Sequence, residues 1–130
     1  MARGDFIHRE RVRFRDLDPM RHVNNAVFLT YIESARAAFL IHAGAVTGIE
    51  DMNIIVARIE IDFRAPANLG DEIEISVSAS RFGTRSFDLD YELRVDGRVV
   101  AEARSVCVAY DYDREETMPI PTDWPTKLAA

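Results

Sequence analysis

The chain has 130 residues, a mass of 14.7 kDa and a net charge of −6, and 48% of its residues are hydrophobic. This composition is typical of a globular protein, and the length predicts a single domain over residues 1–130. The acidic balance argues against a nucleic-acid partner, and no apolar run reaches the roughly 18–20 residues that a membrane-spanning helix needs.

The N-terminal segment MARGDFIHRERV carries charges before any apolar segment could form, so we expect no secretory signal and a cytoplasmic location. Cys107 is the only cysteine, which agrees because no disulfide can form within the chain. In FIHRERVRF, residues 6–14, the side chains of Phe6, Val12 and Phe14 share one side in a period of two. That period predicts the first strand, which the turn RDLDPMRHV follows.

Residues 24–43 form the next element and contain neither glycine nor proline. Their apolar side chains recur at spacings of three and four, which predicts one helix of about 30 Å. Asn24 or Asn25 would cap its first turn, and Gly44 would end it. The apolar face is broad, so we expect a wide surface to cover it.

Four segments after the helix alternate between apolar and polar residues, as strands do. They are IIVARIEIDF, EIEISVSASRF, SFDLDYELRV and RVVAEARSVCVAYD. In the first of them one face is predicted to hold Ile55, Ala57, Ile59, Ile61 and Phe63. Asp96 and Gly97 are a hairpin signal between the last two strands. Residues 114–130 hold three of the five prolines and are predicted to be extended and irregular.

A long helix beside an antiparallel sheet can bury its apolar face only against the concave face of that sheet. The sequence therefore predicts an α+β fold in which an antiparallel sheet of about five strands curls around one helix. The outer strands of such a sheet would be exposed unless they were paired. We therefore expect a homo-oligomer in which an edge strand continues the sheet into a second subunit.

The stretch RDLDPMRHVNN lies where the first strand ends and the long helix begins. The helix N-terminus presents free backbone amides and a partial positive charge, which suit a developing oxyanion. Asp18 lies a few residues before those amides in the sequence. His22 lies between Asp18 and the helix, and Asn25 lies at the start of the helix. A carboxylate, a histidine and amide donors are the groups that hydrolysis of an activated acyl group requires.

Each of these side chains also has an ordinary structural role open to it. Asp18 can form a turn or a cap, His22 can be a hydrogen-bonded structural histidine, and Asn25 can be a helix cap. A metal site made by Asp16, Asp18 and His22 has no fourth ligand at a suggestive spacing, so we expect no metal. Cys107 lies in a strand with small neighbours and is expected in the core rather than as a nucleophile.

The stretch DLDPMRHVNNAVFLTYIESAR resembles the N-terminal signature of the hot-dog-fold thioesterases, the 4-hydroxybenzoyl-CoA thioesterase-like group. Its HVNN form is most similar to the acyl-CoA and plant acyl-ACP branch. The resemblance continues through DFRAPANLGDEIEI, RFGTRSFDLDYEL and GRVVAEARSVCVAYD to the PIP near the end. It implies a hot-dog fold, a long helix wrapped by a curved antiparallel sheet, assembled as a homodimer or as a homotetramer.

By this resemblance Asp18 matches the catalytic carboxylate, as general base or nucleophile, and Asp16 is a neighbour that shapes the turn. His22 matches the histidine of HVNN-type members, and Asn24 and Asn25 match the asparagines that open the helix. Plant acyl-ACP enzymes keep a further asparagine between the aspartate and the histidine. The present chain departs from them there, because Met20 holds that position.

The resemblance implies an acyl-CoA or acyl-ACP thioesterase that hydrolyses an acyl or aroyl thioester without a cofactor. Phe28, Tyr31 and residues of IIVARIEIDF would line the acyl pocket between the helix and a partner subunit. The cations available for the nucleotide of coenzyme A are Arg58, Arg64, Arg81 and Arg85, each of which can equally be a solvated arginine on a strand face.

Two other functions remain open for such a chain. A hot-dog hydratase or dehydratase also uses an aspartate and a histidine, although the DPMRH spacing and the HVNN continuation favour hydrolysis. A non-catalytic acyl-thioester binding protein would keep the fold but would not need the carboxylate, so the presence of both Asp18 and His22 argues against it.

Overall fold

The structure is a computed structural model that describes residues 6–129. Residues 1–5 and 130, on which the predictions for the N-terminus and for the domain bounds partly rest, lie outside this range. The elements in chain order are β1 (Ile7–Arg11), α1 (Asn25–His42), β2 (Ile54–Phe63), β3 (Glu72–Phe82), β4 (Ser86–Val95), β5 (Arg98–Asp111), β6 (Glu116–Thr117) and α2 (Trp124–Ala129). Short 3₁₀ turns at Phe14–Asp16 and Ile49–Asp51 flank α1.

The strands form one antiparallel sheet in the order β1-β3-β4-β5-β2, and β6 pairs with β5. The core lies between the concave face of this sheet and one face of α1. The helix buries Phe28, Tyr31, Ile32, Ala35, Phe39 and Leu40. The sheet side of the core includes Ile73, Ile75, Val77, Leu89, Tyr91 and Leu93. The predicted α+β architecture, a curled antiparallel sheet around one long helix, is confirmed.

The ends of α1 lie at the capping residues that the sequence indicates. Asn24 has an extended backbone (φ −61°, ψ 138°), and its Oδ1 accepts a hydrogen bond from the backbone N of Ala26 at 2.8 Å. Asn24 is therefore the cap, and Asn25 is the first helical residue. Gly44, two residues after the helix, has a φ of +80°, which L-residues with a side chain rarely adopt. Among residues 6–129 no helix is both long and apolar enough to cross a membrane.

The predicted inward face of β2 is correct at one end of the strand and wrong at the other. The register with β5 shifts between Val56 and Arg58, which is a β-bulge. Ile59 pairs with Ser105, whereas Val56 already pairs with Cys107. Directly paired residues point to the same face, so Val56 and Ile54 face the helix while Ile55 and Ala57 do not. The extra residue changes the phase of the strand although the apolar alternation in the sequence continues through it.

The first strand is shorter than predicted, because the chain leaves the sheet after Arg11. Phe14 does not join Val12 in the core: its side chain is 81% exposed and lies in a 3₁₀ turn. The cause is a local hydrogen bond, since the backbone N of Arg13 donates to Oδ2 of Asp16 at 3.0 Å and turns the chain.

The prediction of an irregular segment over residues 114–130 is also corrected. This part of the chain contains β6 and α2, and α2 buries Trp124 and Leu128. The Trp124 ring meets that of Phe87 edge to face at 5.5 Å. Pro125 does not prevent the helix because it lies in the first turn, where the backbone N–H would have no helical partner.

Replacing Asn24 and replacing Asn25 should have different effects on the stability of the protein. Asn24→Ala removes the cap of α1 and should lower the free energy of unfolding by about 1 kcal/mol, whereas Asn25→Ala should change it much less. Urea unfolding of both variants beside the wild type tests this. Equal losses for the two variants would show that Oδ1 of Asn24 does not cap the helix.

Candidate active site

Residues 17–23, which we call the aspartate loop, form a closed turn between the first 3₁₀ turn and α1. Leu17 and Val23 make an isolated antiparallel bridge at its base. Inside the loop the backbone N of Asp18 donates to the carbonyl of His22 at 2.9 Å, and that of Arg21 donates to the carbonyl of Asp18 at 2.9 Å. Arg21 has a φ of +68°, a conformation that costs a residue with a side chain about 1 kcal/mol or more. The loop is therefore held in one strained conformation.

Two further backbone hydrogen bonds attach the aspartate loop to its surroundings. The backbone N of Asn24 donates to the carbonyl of Asp16 at 2.9 Å, and that of Val23 donates to the carbonyl of Ala67 at 3.0 Å. The first bond joins the start of α1 to the strand side of the loop. The second joins the loop to the turn after β2. The positions of Asp18 and His22 are thus determined by three separate parts of the fold.

Asp18 is half-buried, and its carboxylate is only partly used by the loop. Oδ1 accepts from the backbone N of Met20 at 2.9 Å, which is the turn interaction that the sequence allows. Within residues 6–129 no donor is bonded to Oδ2 of Asp18. Asp18 therefore has one oxygen that fixes its orientation and a second that is available to a ligand or to water.

A cavity of about 290 Å³ lies beside this carboxylate, between the start of α1 and the end of β2. It brings together five residues predicted for the site: Asp18, His22, Asn25, Phe28 and Arg64. The other lining residues are Met20, Val23, Phe63, Ala65 and Pro66. Phe63 belongs to the segment IIVARIEIDF, residues of which were predicted to line the acyl pocket, whereas Ala65 and Pro66 were missed, although they directly follow that segment and Arg64.

The remaining predicted residues do not line this cavity. Asn24 is occupied as the helix cap, and Tyr31 is buried in the core. Arg58 lies 3.5 Å from Glu60, and Arg81 lies 2.9 Å from Asp88. Arg85 donates to the carbonyl of Thr117 at 2.8 Å. Sequence spacing could not distinguish these arginines from Arg64, because all four belong to strands or to their ends.

The first turn of α1 offers fewer free amides than a bare helix end. The backbone N of Ala26 donates to Oδ1 of Asn24, and those of Val27 and Phe28 donate to its carbonyl at 2.9 and 3.4 Å. In the described part of the chain, the backbone N of Asn25 has no acceptor. This amide belongs to a residue that lines the cavity, and it lies at the positive end of the helix. One amide, rather than several, is therefore available to a developing oxyanion.

Asp16, the other aspartate of the stretch, is a buried structural residue with an exposed fraction of only 3%. Its Oδ2 accepts from the hydroxyl of Tyr31 at 2.6 Å and from the backbone N of Arg13 at 3.0 Å. Burial raises the pKa of Asp16, but the hydrogen bonds from Tyr31 and Arg13 outweigh it and the net shift is downward. Burial and the bond to Asp16 raise the pKa of Tyr31. Asp16 therefore stays ionised, and its bonded carboxylate anchors the loop to α1.

The polar residues considered for other chemistry are used elsewhere. Because Asp16 faces Tyr31, it does not join Asp18 and His22, and among residues 6–129 no three His, Cys, Asp or Glu side chains converge as metal ligands. Cys107 is fully buried, and burial raises the pKa of its thiol. Its sulfur lies 3.4 Å from Oγ of Ser105. It is a core residue and has no access to the cavity.

Three kinds of comparison with known proteins agree. A family model described as "Thioesterase-like superfamily" matches residues 12–128. The long-chain acyl-CoA thioesterase FadM of Escherichia coli (strain K12) is 30% identical over 122 residues, covering 91% of this chain and 92% of that protein. A 1,4-dihydroxy-2-naphthoyl-CoA hydrolase of Synechococcus elongatus is 28% identical over 133 residues, covering 93% and 95%.

A solved structure adds the fold to these sequence matches. It is a thioesterase from Thermus thermophilus, crystallised with coenzyme A and Zn, and it is 34% identical to this chain. It superposes with a TM-score of 0.82 over 94% of this chain and 90% of that one. All three relatives are named as thioesterases or hydrolases, which is the enzyme class predicted from the sequence.

The hydrogen bond between Asp16 and Tyr31 should make the stability of the protein depend on pH in the acid range. Tyr31→Phe leaves the carboxylate one donor short and should lower the free energy of unfolding at pH 7 by about 1.5–3 kcal/mol. Because the folded pKa of Asp16 is lowered, its stabilisation is present above the unfolded value and is lost as the pH falls through the folded value.

The deficit of Tyr31→Phe should therefore shrink as the pH falls below the ordinary aspartate pKa of about 3.9 and through the lowered folded value, where the wild type loses the same stabilisation. Denaturant unfolding at pH 7 and at pH 3 measures both values. The control is Tyr110→Phe, since the Tyr110 hydroxyl has no hydrogen bond within residues 6–129. A deficit that is constant over this pH range would contradict the assignment.

Proposed function

The chain belongs to the thioesterase-like superfamily, and on that basis we propose that it hydrolyses an acyl or aroyl thioester of coenzyme A to the free acid and the thiol. The observation that supports this most directly is the half-bonded carboxylate of Asp18 in a cavity beside the free amide of Asn25. The relatives named above act on a long-chain acyl thioester and on an aromatic one, so both kinds of acyl group are included. Assignment to the HVNN-type branch stays a prediction.

Asp18 is proposed to act through its free Oδ2. As general base, it takes a proton from a water molecule, whose oxygen attacks the thioester carbonyl carbon. As nucleophile, Oδ2 attacks the carbonyl carbon, the C–S bond breaks as the thiolate leaves, and water then hydrolyses the resulting acyl anhydride. In either route the carbonyl oxygen gains negative charge, which the backbone N–H of Asn25 can stabilise. In the general-base route the C–S bond breaks after water has attacked, and in both routes the thiolate that leaves takes up a proton. The carboxylate, the water molecule and the backbone amide are sufficient for this hydrolysis, and we propose that the enzyme needs no cofactor.

The other lining residues have roles that follow from their chemistry. His22 and the Asn25 side chain can donate to the thioester carbonyl or to water, while Phe28 and Phe63 offer an apolar wall to the acyl group. Of the four predicted arginines, Arg64 alone lines the cavity. Its Nε also donates a hydrogen bond to Oε1 of Glu102 at 2.9 Å. Arg21, which is exposed in the aspartate loop and has no ion pair within residues 6–129, is a further cation for the phosphates of coenzyme A.

We also propose that the protein is a homodimer or a homotetramer. Strand β2 has ten residues and ends the sheet, so one of its two edges has no partner strand among residues 6–129. Next to this edge the apolar side chains of Val56, Phe63 and Leu29 are 39%, 42% and 37% exposed. Antiparallel pairing of β2 with its copy would extend the sheet and cover them, and the acyl group would then lie between α1 and the partner subunit. Location in the cytoplasm and use of an acyl carrier protein stay predictions.

The central test of hydrolysis is thiol release from a panel of acyl- and aroyl-CoA esters. Asp18→Asn should lower kcat by about 10²–10⁴-fold without unfolding the protein, and His22→Ala should lower it less. The matched control is Asp113→Asn, an exposed aspartate in the turn after β5. Full activity in Asp18→Asn would refute the assigned base.

The rival functions give different results in the same assay. A hydratase would change an enoyl double bond and leave the C–S bond intact, so no thiol would appear. A binding protein would bind the ester and release nothing. Absence of thiol release from the folded wild type on coenzyme A and carrier-protein esters alike would refute hydrolysis.

The proposed assembly is tested by sedimentation equilibrium. The wild type should have a mass of two or four times 14.7 kDa. Val56→Lys places a charge on the inward face of β2, a device that prevents edge pairing, and should shift the mass towards that of one chain. Glu60→Gln, on the outward face of the same strand, should leave the mass unchanged. A wild type that sediments as a single chain would refute the assembly.

A further inference from the structure

A second cavity, of about 570 Å³, lies between the middle of α1 and the first residues of β2. Its apolar wall includes Ile49, Met52, Ile54 and Val56. Glu33 and Arg36 also line it, one helical turn apart. Arg36 is half-buried on this wall, and partly burying a charge without a charged partner is costly.

Arg36 has no anionic partner in the described part of the chain. It is half-buried, and its Nη1 donates to the hydroxyl oxygen of Tyr91 at 3.3 Å. Glu33 is exposed and makes no ion pair with it, although the two lie three residues apart. A guanidinium has five N–H donors, so most of those of Arg36 are left for another acceptor.

A buried hydrogen-bond chain holds this guanidinium in position. The hydroxyl of Tyr91 lies 2.6 Å from Oγ of Ser105, which in turn lies 3.4 Å from the sulfur of Cys107. All three residues are buried. Because the hydroxyl of Tyr91 is held by Ser105, its hydrogen bond to Arg36 fixes the position of the guanidinium against the sheet.

The two cavities lie along the same pair of elements. The first touches α1 at Asn25 and β2 at Phe63, and the second touches α1 at Arg36 and β2 at Ile54. Asn25 and Arg36 are about 16 Å apart along the helix axis, at about 1.5 Å per residue. The side chains between the cavities are apolar: Leu29 on α1, and the half-buried Ile59 and Ile61 on the inward face of β2.

We propose that the second cavity binds the far end of the acyl group and that this end carries an oxygen, which Arg36 recognises as a hydrogen-bond acceptor. The inference rests on the proposed thioester hydrolysis and specifies its substrate class. From its carbonyl carbon to an oxygen on its last carbon, an extended twelve-carbon acyl group has twelve bonds and spans about 16 Å, at about 1.3 Å of projected length per bond. A plain methyl end would enter the same cavity but would leave the donors of Arg36 unpaired.

A hydroxyl and a carboxylate both supply the required oxygen. A carboxylate would pair with the guanidinium but would approach the carboxylate of Glu33 on the same wall. A hydroxyl could accept from Arg36 and donate to Glu33. The two sources are separated by Glu33→Gln, which should raise turnover of the carboxylate-ended ester relative to the hydroxyl-ended one.

The experiment compares three esters of coenzyme A with twelve-carbon acyl groups that end in a methyl, a hydroxyl or a carboxylate group. For the wild type, kcat/KM should be at least about tenfold higher for one of the oxygen-ended esters than for the methyl-ended ester. Arg36→Met should abolish that preference, and Arg36→Lys should keep only part of it, because lysine keeps the charge without the planar fork. The matched control Arg98→Met, at an exposed arginine that begins β5, should keep the preference.

Binding to the Asp18→Asn variant, measured by calorimetry with the same three esters, separates this inference from the proposed function. Tighter binding of an oxygen-ended ester that is lost with Arg36→Met would support the inference even if the wild type hydrolysed none of them. Equal hydrolysis and equal binding of all three esters would overturn the inference and leave the thioesterase function standing. A preference that survives in folded Arg36→Met would overturn it as well.

Discussion

The packing of one face of α1 against the concave side of the sheet is the constraint on which the remaining features depend. Six apolar side chains of the helix are buried there, so the sheet must curl and the helix must lie across its strands. The helix N-terminus then comes to rest beside the end of β2, where the first cavity forms. The same packing leaves the other flank of the helix, with Leu29 and Arg36, beside the edge strand. The same helix, α1, therefore forms the core with one face and borders the candidate site with its N-terminus and its other flank.

Neighbouring residues of the same type are divided between structure and chemistry at this helix end. Asp16 is saturated by Tyr31 and Arg13, while Asp18, two residues later, keeps one carboxylate oxygen free. Asn24 uses its side chain as the cap, while Asn25 lines the cavity. In each pair the structural member holds the backbone that positions the other. A reactive group can remain incompletely bonded because an adjacent residue carries the bonds that define the loop.

Much of the fold could be predicted from the sequence, since the signals involved are local and regular. The three-and-four spacing of α1, the asparagine cap and the alternation of β3 and β4 each depend on neighbouring residues only, and each agrees with the structure. The errors arise from tertiary interactions. The bulge in β2 is invisible in a pattern that stays apolar through it, and Phe14 leaves the strand because Asp16 turns the chain. Likewise, nothing in the spacing of the four predicted arginines shows that only Arg64 lines the cavity.

The burial of Cys107 has a chemical consequence for a protein that would release a free thiol at every turnover. Mixed disulfides form when a thiolate reaches an accessible sulfur, and a deeply buried thiol with a raised pKa is poorly reactive in this exchange. Accumulating coenzyme A would thus find no accessible protein thiol, and oxidised coenzyme A could not form a mixed disulfide with the folded chain. For the same reason the native protein should not react with chromogenic disulfide reagents. The colour that develops in a thiol-release assay would then come only from the coenzyme A that is released.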